Sequence, residues 1–310
     1  MEPIGKSMRN VTNRPDFQKR LSGLKEQVLA DPDIQAFLSA NSSAVDESVI
    51  ERSLNKLYEY TQQSKGCRDC PSIGQCRNII QGYHPELVLQ GKTIDLQYDQ
   101  CPSKIADDQR KKHESLIKSL YIPKDILKAQ FQDIDFDDNS RIKLFGLIQE
   151  FVRAAEEGKR QRGVYLHGSF GVGKTFIMGA IANELAFKNI PSMLVYLPEF
   201  MRELKNSIQN STLEEKMDAV KKVKVLMLDD IGAESMSSWT RDEILGVILQ
   251  YRMTENLPTF FTSNFDLKEL EHHLSYTQRG EEEKVKAARV IERIKYLATP
   301  FKLEGGNRRS

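Results

Sequence analysis

Gly168-Ser169-Phe170-Gly171-Val172-Gly173-Lys174-Thr175 carries glycine, lysine and a hydroxyl at the spacing of a phosphate-binding loop. The glycines let the backbone curl until its amides converge on a β-phosphate, at the positive end of the helix that follows. Lys174 can reach the β- and γ-phosphates, and Thr175 offers a hydroxyl to Mg²⁺. Further along, the apolar run Val225-Leu226-Met227-Leu228 ends in Asp229-Asp230. A buried strand would deliver Asp229 to the carboxyl edge of a sheet, beside the Mg²⁺, with Asp230 placed to orient or activate an attacking water. Thr262-Ser263-Asn264 ends another strand-like run, and the Asn264 amide could hold that water against the γ-phosphate.

A second constellation lies upstream. Cys67-Arg68-Asp69-Cys70 is a C-x-x-C knuckle, which brings two thiolates to one metal. Cys101 follows a strand-like run and can return as a third ligand; the fourth is Cys76 or His84, with His84 preferred because Cys76 sits close to the knuckle. All four cysteines of the chain fall in this stretch, and a region so poor in apolar residues needs a staple. Four protein ligands leave no open position, so the expected zinc is structural.

A third group could meet a nucleic acid. Arg202 and Lys205 lie three apart on one helical face, and Lys221, Lys222 and Lys224 precede the acidic pair. Trp239, the only tryptophan, follows the polar loop Ser235-Met236-Ser237-Ser238. Cations for phosphates and a ring for a base, with Ser237 alongside, suit single-stranded DNA. The interleaved Glu203, Glu214, Glu215 and Asp218 also allow a plain solvated face.

These residues need elements to hold them. Phe17, Leu21, Leu24 and Val28 follow a helical period until Asp31-Pro32-Asp33 breaks it, and Val45, Val49, Ile50, Leu54, Leu57 and Tyr58 form a second stripe. Within 66–101 the only regular piece is the strand-like Thr93 to Tyr98. Lys104 to Glu114 reads as a solvated linker or connecting helix. From about Phe131 helix and strand alternate: strand 163–167, helix 176–186, strand 193–197, a helical insert over 200–222, strand 225–228 and strand 259–262. Such alternation implies an α/β fold with a parallel sheet covered on both faces. The expected domains are 1–106, a small, mostly helical zinc-binding part; 107–128, a linker; and 129–310, the phosphate-loop part.

Bulk properties set the frame. The chain has 310 residues and a formal net charge of +1, so no global field draws it to nucleic acid and any such contact is a local patch. Its apolar runs are too short to span a bilayer and its first residues lack a signal-peptide core, which points to the cytoplasm and to thiols that bind metal instead of pairing.

Taken in order, the loop at 168–175, the acidic strand end at 225–230 and Asn264 resemble the Walker A, Walker B and sensor 1 motifs of AAA+ ATPases. The insert from Phe200 to Lys222 resembles that of the initiator and loader clade. Arg289-Val290-Ile291-Glu292-Arg293-Ile294 resembles the arginine-finger motif of bacterial helicase loaders. Joined to the cysteine-bearing front part, the whole chain is similar to the bacterial primosomal loaders of the replicative helicase. That resemblance implies ATP as ligand and a front domain that grips the hexameric helicase. It also implies self-assembly through the ATPase domain and contact with single-stranded DNA. Arg293, with Arg289 in reserve, would be the arginine that reaches a neighbouring subunit. Two departures bear on rate: many AAA+ proteins have Glu where this chain has Asp230, and no sensor 2 arginine is apparent. Both point to a slow, switch-like ATPase. The alternatives are an ATPase helper of DNA transposition, a small-molecule kinase, or a zinc adaptor switched by nucleotide with little hydrolysis.

Overall fold

A computed structural model of the chain describes residues 15–63, 70, 72–135, 139–207, 213–276 and 282–308. The chain divides into two compact units, Met1–Arg110 and Lys111–Ser310.

Among its described residues the first unit begins with α1 (Pro15–Leu29), α2 (Pro32–Ala40) and α3 (Glu47–Thr61). The break between α1 and α2 is a start signal: Asp31 accepts from the amides of Asp33 and Ile34, with Pro32 in the first turn. Asp46 caps α3 in the same way through Val49 N at 2.8 Å. The apolar stripes meet in one core of Val28, Ile34, Val49, Leu54, Leu57 and Tyr60, into which Ile94 inserts. Ile94 belongs to a hairpin of β1 (Tyr83–Gln90) and β2 (Thr93–Gln100), and its N–H donates to Ser53 Oγ at 2.7 Å. The hairpin corrects the expectation of a single regular piece in this region. In β1 a proline and a charged residue interrupt the alternation, so the strand is legible only through its partner. Gly91, at φ +61°, supplies the left-handed turn that closes it. Helix α4 (Pro102–Leu116) follows and buries none of its residues, as its charged sequence requires.

The second unit is built on six parallel strands in the order β3-β5-β6-β7-β4-β8. The strands are β3 (Ile117–Leu120), β4 (Gly163–His167), β5 (Ser192–Tyr196), β6 (Val225–Asp229), β7 (Thr259–Ser263) and β8 (Ala298–Lys302). The helices are α5 (Asn139–Glu156), α6 (Lys174–Phe187), α7 (Leu197–Ser207), α8 (Leu213–Lys222), α9 (Gly246–Thr254), α10 (Leu267–Ser275) and α11 (Lys284–Leu297). The two outer strands escape the sequence pattern. β3 is four residues long and falls in the segment read as linker, and β8 contains Pro300, which only an edge strand tolerates. Among the described residues the insert comprises α7 and α8.

Alternation along β6 separates two cores. Leu226 and Leu228 face one layer with Phe200, Leu245, Ile248 and Ile294, while Val225 and Met227 face the other with Ile148, Ile177 and Leu185. A strand buried on both faces must be apolar throughout, which is why this run lacks polar residues before Asp229. Arg252 fixes the amino ends of the site's strands. Fully buried, it donates to Val223 O at 2.8 Å and Lys221 O at 3.0 Å before β6, and to Pro258 O at 2.7 Å and Thr259 Oγ1 at 2.8 Å on β7. Among the described residues no helix is long and apolar enough to cross a membrane.

Candidate functional site

Because β7 lies between β4 and β6, its carboxyl end separates the glycine loop from the acidic pair. Asn264, just past β7, bridges them: its Oδ1 accepts from Lys174 Nζ at 2.8 Å and its Nδ2 donates to Asp230 Oδ1 at 3.2 Å. Lys174 also donates to Gly168 O at 2.8 Å and Ser169 O at 2.9 Å. Thr175 Oγ1 donates to the Asp229 carboxylate at 2.9 and 3.1 Å. The loop thus brings Lys174, Thr175, Asp229, Asp230 and Asn264 into one crevice at the carboxyl edge of a parallel sheet, where such sheets bind ligands.

The glycine loop is shaped by its residue types. Gly171 and Gly173 hold φ of +75° and +95°, a backbone that side-chain-bearing residues seldom adopt. Between them Val172 is buried and anchors the loop in the core, whereas Phe170 is 71% exposed and Ser169 faces outward. Asp230 also lies at positive φ, +63°, a costly conformation for a residue with a side chain and one that clusters at functional sites.

Thr262 is a site residue that the sequence motifs do not single out. Its hydroxyl donates to Asp229 Oδ1 at 2.6 Å and accepts from Asp230 N at 2.8 Å, so it positions both acids from the neighbouring strand. A hydroxyl near the carboxyl end of a strand was the available signal, but only the strand order makes it a neighbour of Asp229. Two arginines at the loop were also missed: Arg141 Nη2 donates to Val172 O at 2.7 Å, and Arg308 N to Gly171 O at 2.9 Å.

Burial pushes the Asp229 carboxyl pKa upward, against the lowering effect of hydrogen bonds from Thr262 and Thr175. A buried carboxylate beside a hydroxyl is a hard oxygen pair of the kind Mg²⁺ takes, and a cation there would relieve the cost of the buried charge. A carboxyl whose pKa is raised by folding destabilises the fold above that pKa, and the cost disappears as pH falls through it. Asp229→Asn should therefore raise the melting temperature of the ligand-free protein, by about 2–4 °C for each kcal/mol relieved. It should also abolish Mg²⁺-dependent nucleotide turnover. A thermal melt with no gain, or turnover at the wild-type level, would count against this assignment.

In the first unit Cys67 lies outside the described residues. Cys76 Sγ accepts from Gly82 N at 3.4 Å, Cys101 N donates to Gly82 O at 2.9 Å, and Cys101 Sγ accepts from Lys104 N at 3.4 Å. Gly82 therefore stands between Cys76 and Cys101. Cys70 Sγ lies 3.3 Å from Ser72 O. His84 pairs in register with Asp99, and with Glu86 these make a group of ligand atoms within 4.8 Å of one another. Among the described residues, that group holds His84 with two carboxylates and no cysteine, so the structure does not bring His84 together with Cys70 and Cys101; Cys101 is buried and Cys76 half-buried, each with an amide donor on its sulfur.

The candidate DNA residues are more engaged than their types suggest. Arg202 pairs with Glu199 at 2.6 Å and Glu234 at 2.9 Å. Ser237 Oγ lies 2.8 Å from Thr240 Oγ1 and accepts from Thr240 N at 3.2 Å, at the start of a π-helix, Thr240–Leu245. Trp239 is half-buried against the core, and Lys205 is exposed. On α11, Arg293 donates to Gln250 Oε1 at 3.0 Å and Gly246 O at 3.1 Å within its own chain, while Arg289, one turn earlier, is exposed.

Comparison with known proteins bears on both units. The family model described as "Primosomal protein DnaI N-terminus" matches residues 1–98, and that of the "Bacterial DnaA ATPase domain" matches residues 147–277. The replicative helicase loader DnaI of Bacillus subtilis (strain 168) is 57% identical over 309 residues, 100% of this chain and 99% of that protein. A crystal structure of DnaI, 56% identical, covers 64% of this chain and 100% of its own with a TM-score of 0.57. That of the DnaC helicase loader, 23% identical with a TM-score of 0.50 over 59% of this chain and 100% of its own, shares the fold.

Proposed function

Because the chain belongs to the DnaI family of replicative helicase loaders, we propose that it uses ATP to deliver a hexameric replicative helicase to single-stranded DNA during primosome assembly. The observation that carries this reading is Asn264, hydrogen-bonded to both Lys174 and Asp230, with Thr175 on Asp229 beside it. Lys174 and the loop amides take the β- and γ-phosphates, Thr175 and Asp229 hold Mg²⁺, and Asp230 and Asn264 position the attacking water. Asp230 is a methylene shorter than glutamate and sits on strained backbone, which supports slow hydrolysis that times a switch. The first unit, held by a structural zinc on Cys67, Cys70, Cys101 and His84 or Cys76, grips the helicase. The second assembles with its own copies and meets DNA through Lys205, Arg202, Ser237 and Trp239. Binding there releases Arg202 from Glu199 and Glu234. That role belongs to a cytoplasmic protein.

Lys174→Ala tests the reading directly. Losing charge-assisted hydrogen bonds of ~1.5–3 kcal/mol should weaken nucleotide affinity by about 10- to 100-fold and stop ATP-dependent loading of helicase onto circular single-stranded DNA. Helicase capture without nucleotide should persist. A variant that loads at the wild-type rate would overturn the ATP-dependent step and leave a nucleotide-independent adaptor.

A further inference from the structure

A phosphate loop works only if its amides face inward, and that depends on where its carbonyls are held. A peptide unit is planar and trans, so its C=O and the next residue's N–H point in opposite directions. In this loop two successive carbonyls are held from outside. Arg308 N donates to Gly171 O at 2.9 Å, and Arg141 Nη2 donates to Val172 O at 2.7 Å. The first bond sets the direction of the Val172 N–H, and the second that of the Gly173 N–H. The two peptide units that carry these amides lie between the two positive-φ glycines, where the backbone is least constrained by its own side chains.

Neither donor is a chance contact. Arg141 is 3% exposed, on α5. Arg308 ends a segment that crosses the loop after β8. Leu303 N donates to His167 O at 2.7 Å and its side chain is buried in the core; Glu304 N reaches Ser140 Oγ at 3.4 Å; and the Arg308 guanidinium pairs with Asp135 at 2.5 Å. The loop is fitted to this segment. A Cβ on Gly168 would lie 2.2 Å from Leu303 O, and one on Gly171 would lie 1.9 Å from the Asn307 side chain.

We propose that the segment Leu303–Arg308, together with Arg141, is an outer clamp that pre-sets the phosphate-binding amides and so controls how long a nucleoside triphosphate stays bound. The inference rests on the reading of this loop as the nucleotide site. The operative group on Arg308 is its backbone N–H; its side-chain ion pair is on the surface and contributes little. These are positioning residues: they act on the phosphates through the loop.

Proline and alanine at position 308 separate the two groups. Arg308→Pro removes the N–H, whereas Arg308→Ala keeps it and loses the side-chain contacts, the pair with Asp135 among them. With a fluorescent ATP analogue and Mg²⁺ on the full chain, Arg308→Pro should raise the dissociation rate about tenfold, the upper range for one lost hydrogen bond. Arg308→Ala should raise it no more than about threefold. A chain lacking residues 305–310, which keeps Leu303 in the core, should match the proline variant. Melting temperatures are recorded for all three, and Lys174→Ala is measured alongside. If the proline and shortened variants release nucleotide at the wild-type rate while Lys174→Ala loses binding, the clamp is overturned and the site stands. If Lys174→Ala also binds normally, the nucleotide site itself is overturned, and the clamp with it.

Discussion

Mixing Arg289→Ala subunits, whose phosphate loops are intact, with Lys174→Ala subunits, whose arginines are intact, is expected to restore ATP hydrolysis that neither variant shows alone. Among the described residues the crevice brings together a lysine, two acids, a hydroxyl and an amide. The two arginines beside the loop are engaged elsewhere, Arg141 by Val172 O and Arg308 by Asp135. We propose that charge developing on the outer oxygens of a γ-phosphate is met by a cation from a second chain. An arginine supplied in trans is worth ~10³–10⁵ in rate. Arg289 and Arg293 lie one turn apart on α11, beside Val285, which is 68% exposed. The motif pointed to Arg293 first, but its guanidinium ties α11 to α9 through Gly246 O and Gln250. Arg289 is the more exposed of the two and is proposed as the residue that crosses. Arg293→Ala should lower the melting temperature as well as the rate, because it cuts bonds within the subunit. Inactive mixtures, under conditions where the wild type assembles, would count against a shared site; rescue by Arg293→Ala but not Arg289→Ala would exchange their roles.

Removing the proposed zinc should have the largest effect on folding. Structural zinc contributes ~10–16 kcal/mol of apparent binding free energy in small domains, comparable to or above the stability of a whole domain. The hairpin has one face to bury, through Ile94, Leu87, Leu89 and Leu96 against the α1–α3 core. Near its far end, where Gly82 is bonded to both Cys101 and Cys76, Ile79 and Ile80 are exposed. Chelation is expected to unfold residues 66–101 and abolish helicase capture while the Lys111–Ser310 unit keeps its melting transition. Hydrogen exchange resolved by segment reads both outcomes. Absence of zinc by elemental analysis in protein purified without chelator would overturn the assignment, and so would a hairpin that stays protected in chelator.

Much of this molecule was determined by local sequence. A glycine-lysine-threonine loop between an apolar strand and a helix has few other uses, and a run such as Val225 to Leu228 suits only a strand buried on both faces. The helix breaks at Asp31-Pro32 and the charged α4 were equally local. What tertiary structure decided depends on strand order, to which period and spacing are blind. Inserting β7 between β4 and β6 makes Asn264 a bridge and Thr262 a partner of both acids. Placing β8 beside β4 carries residues 303–308 across a phosphate loop more than a hundred residues upstream. Surface charge also had to await the fold. Arg202 and Arg293 are the same residue type as Arg289, yet only packing shows that the first two already have partners within the chain. Local residue choice sets what each element can be; long-range pairing chooses its neighbours, and both the chemistry at the crevice and the clamp behind it are properties of neighbours.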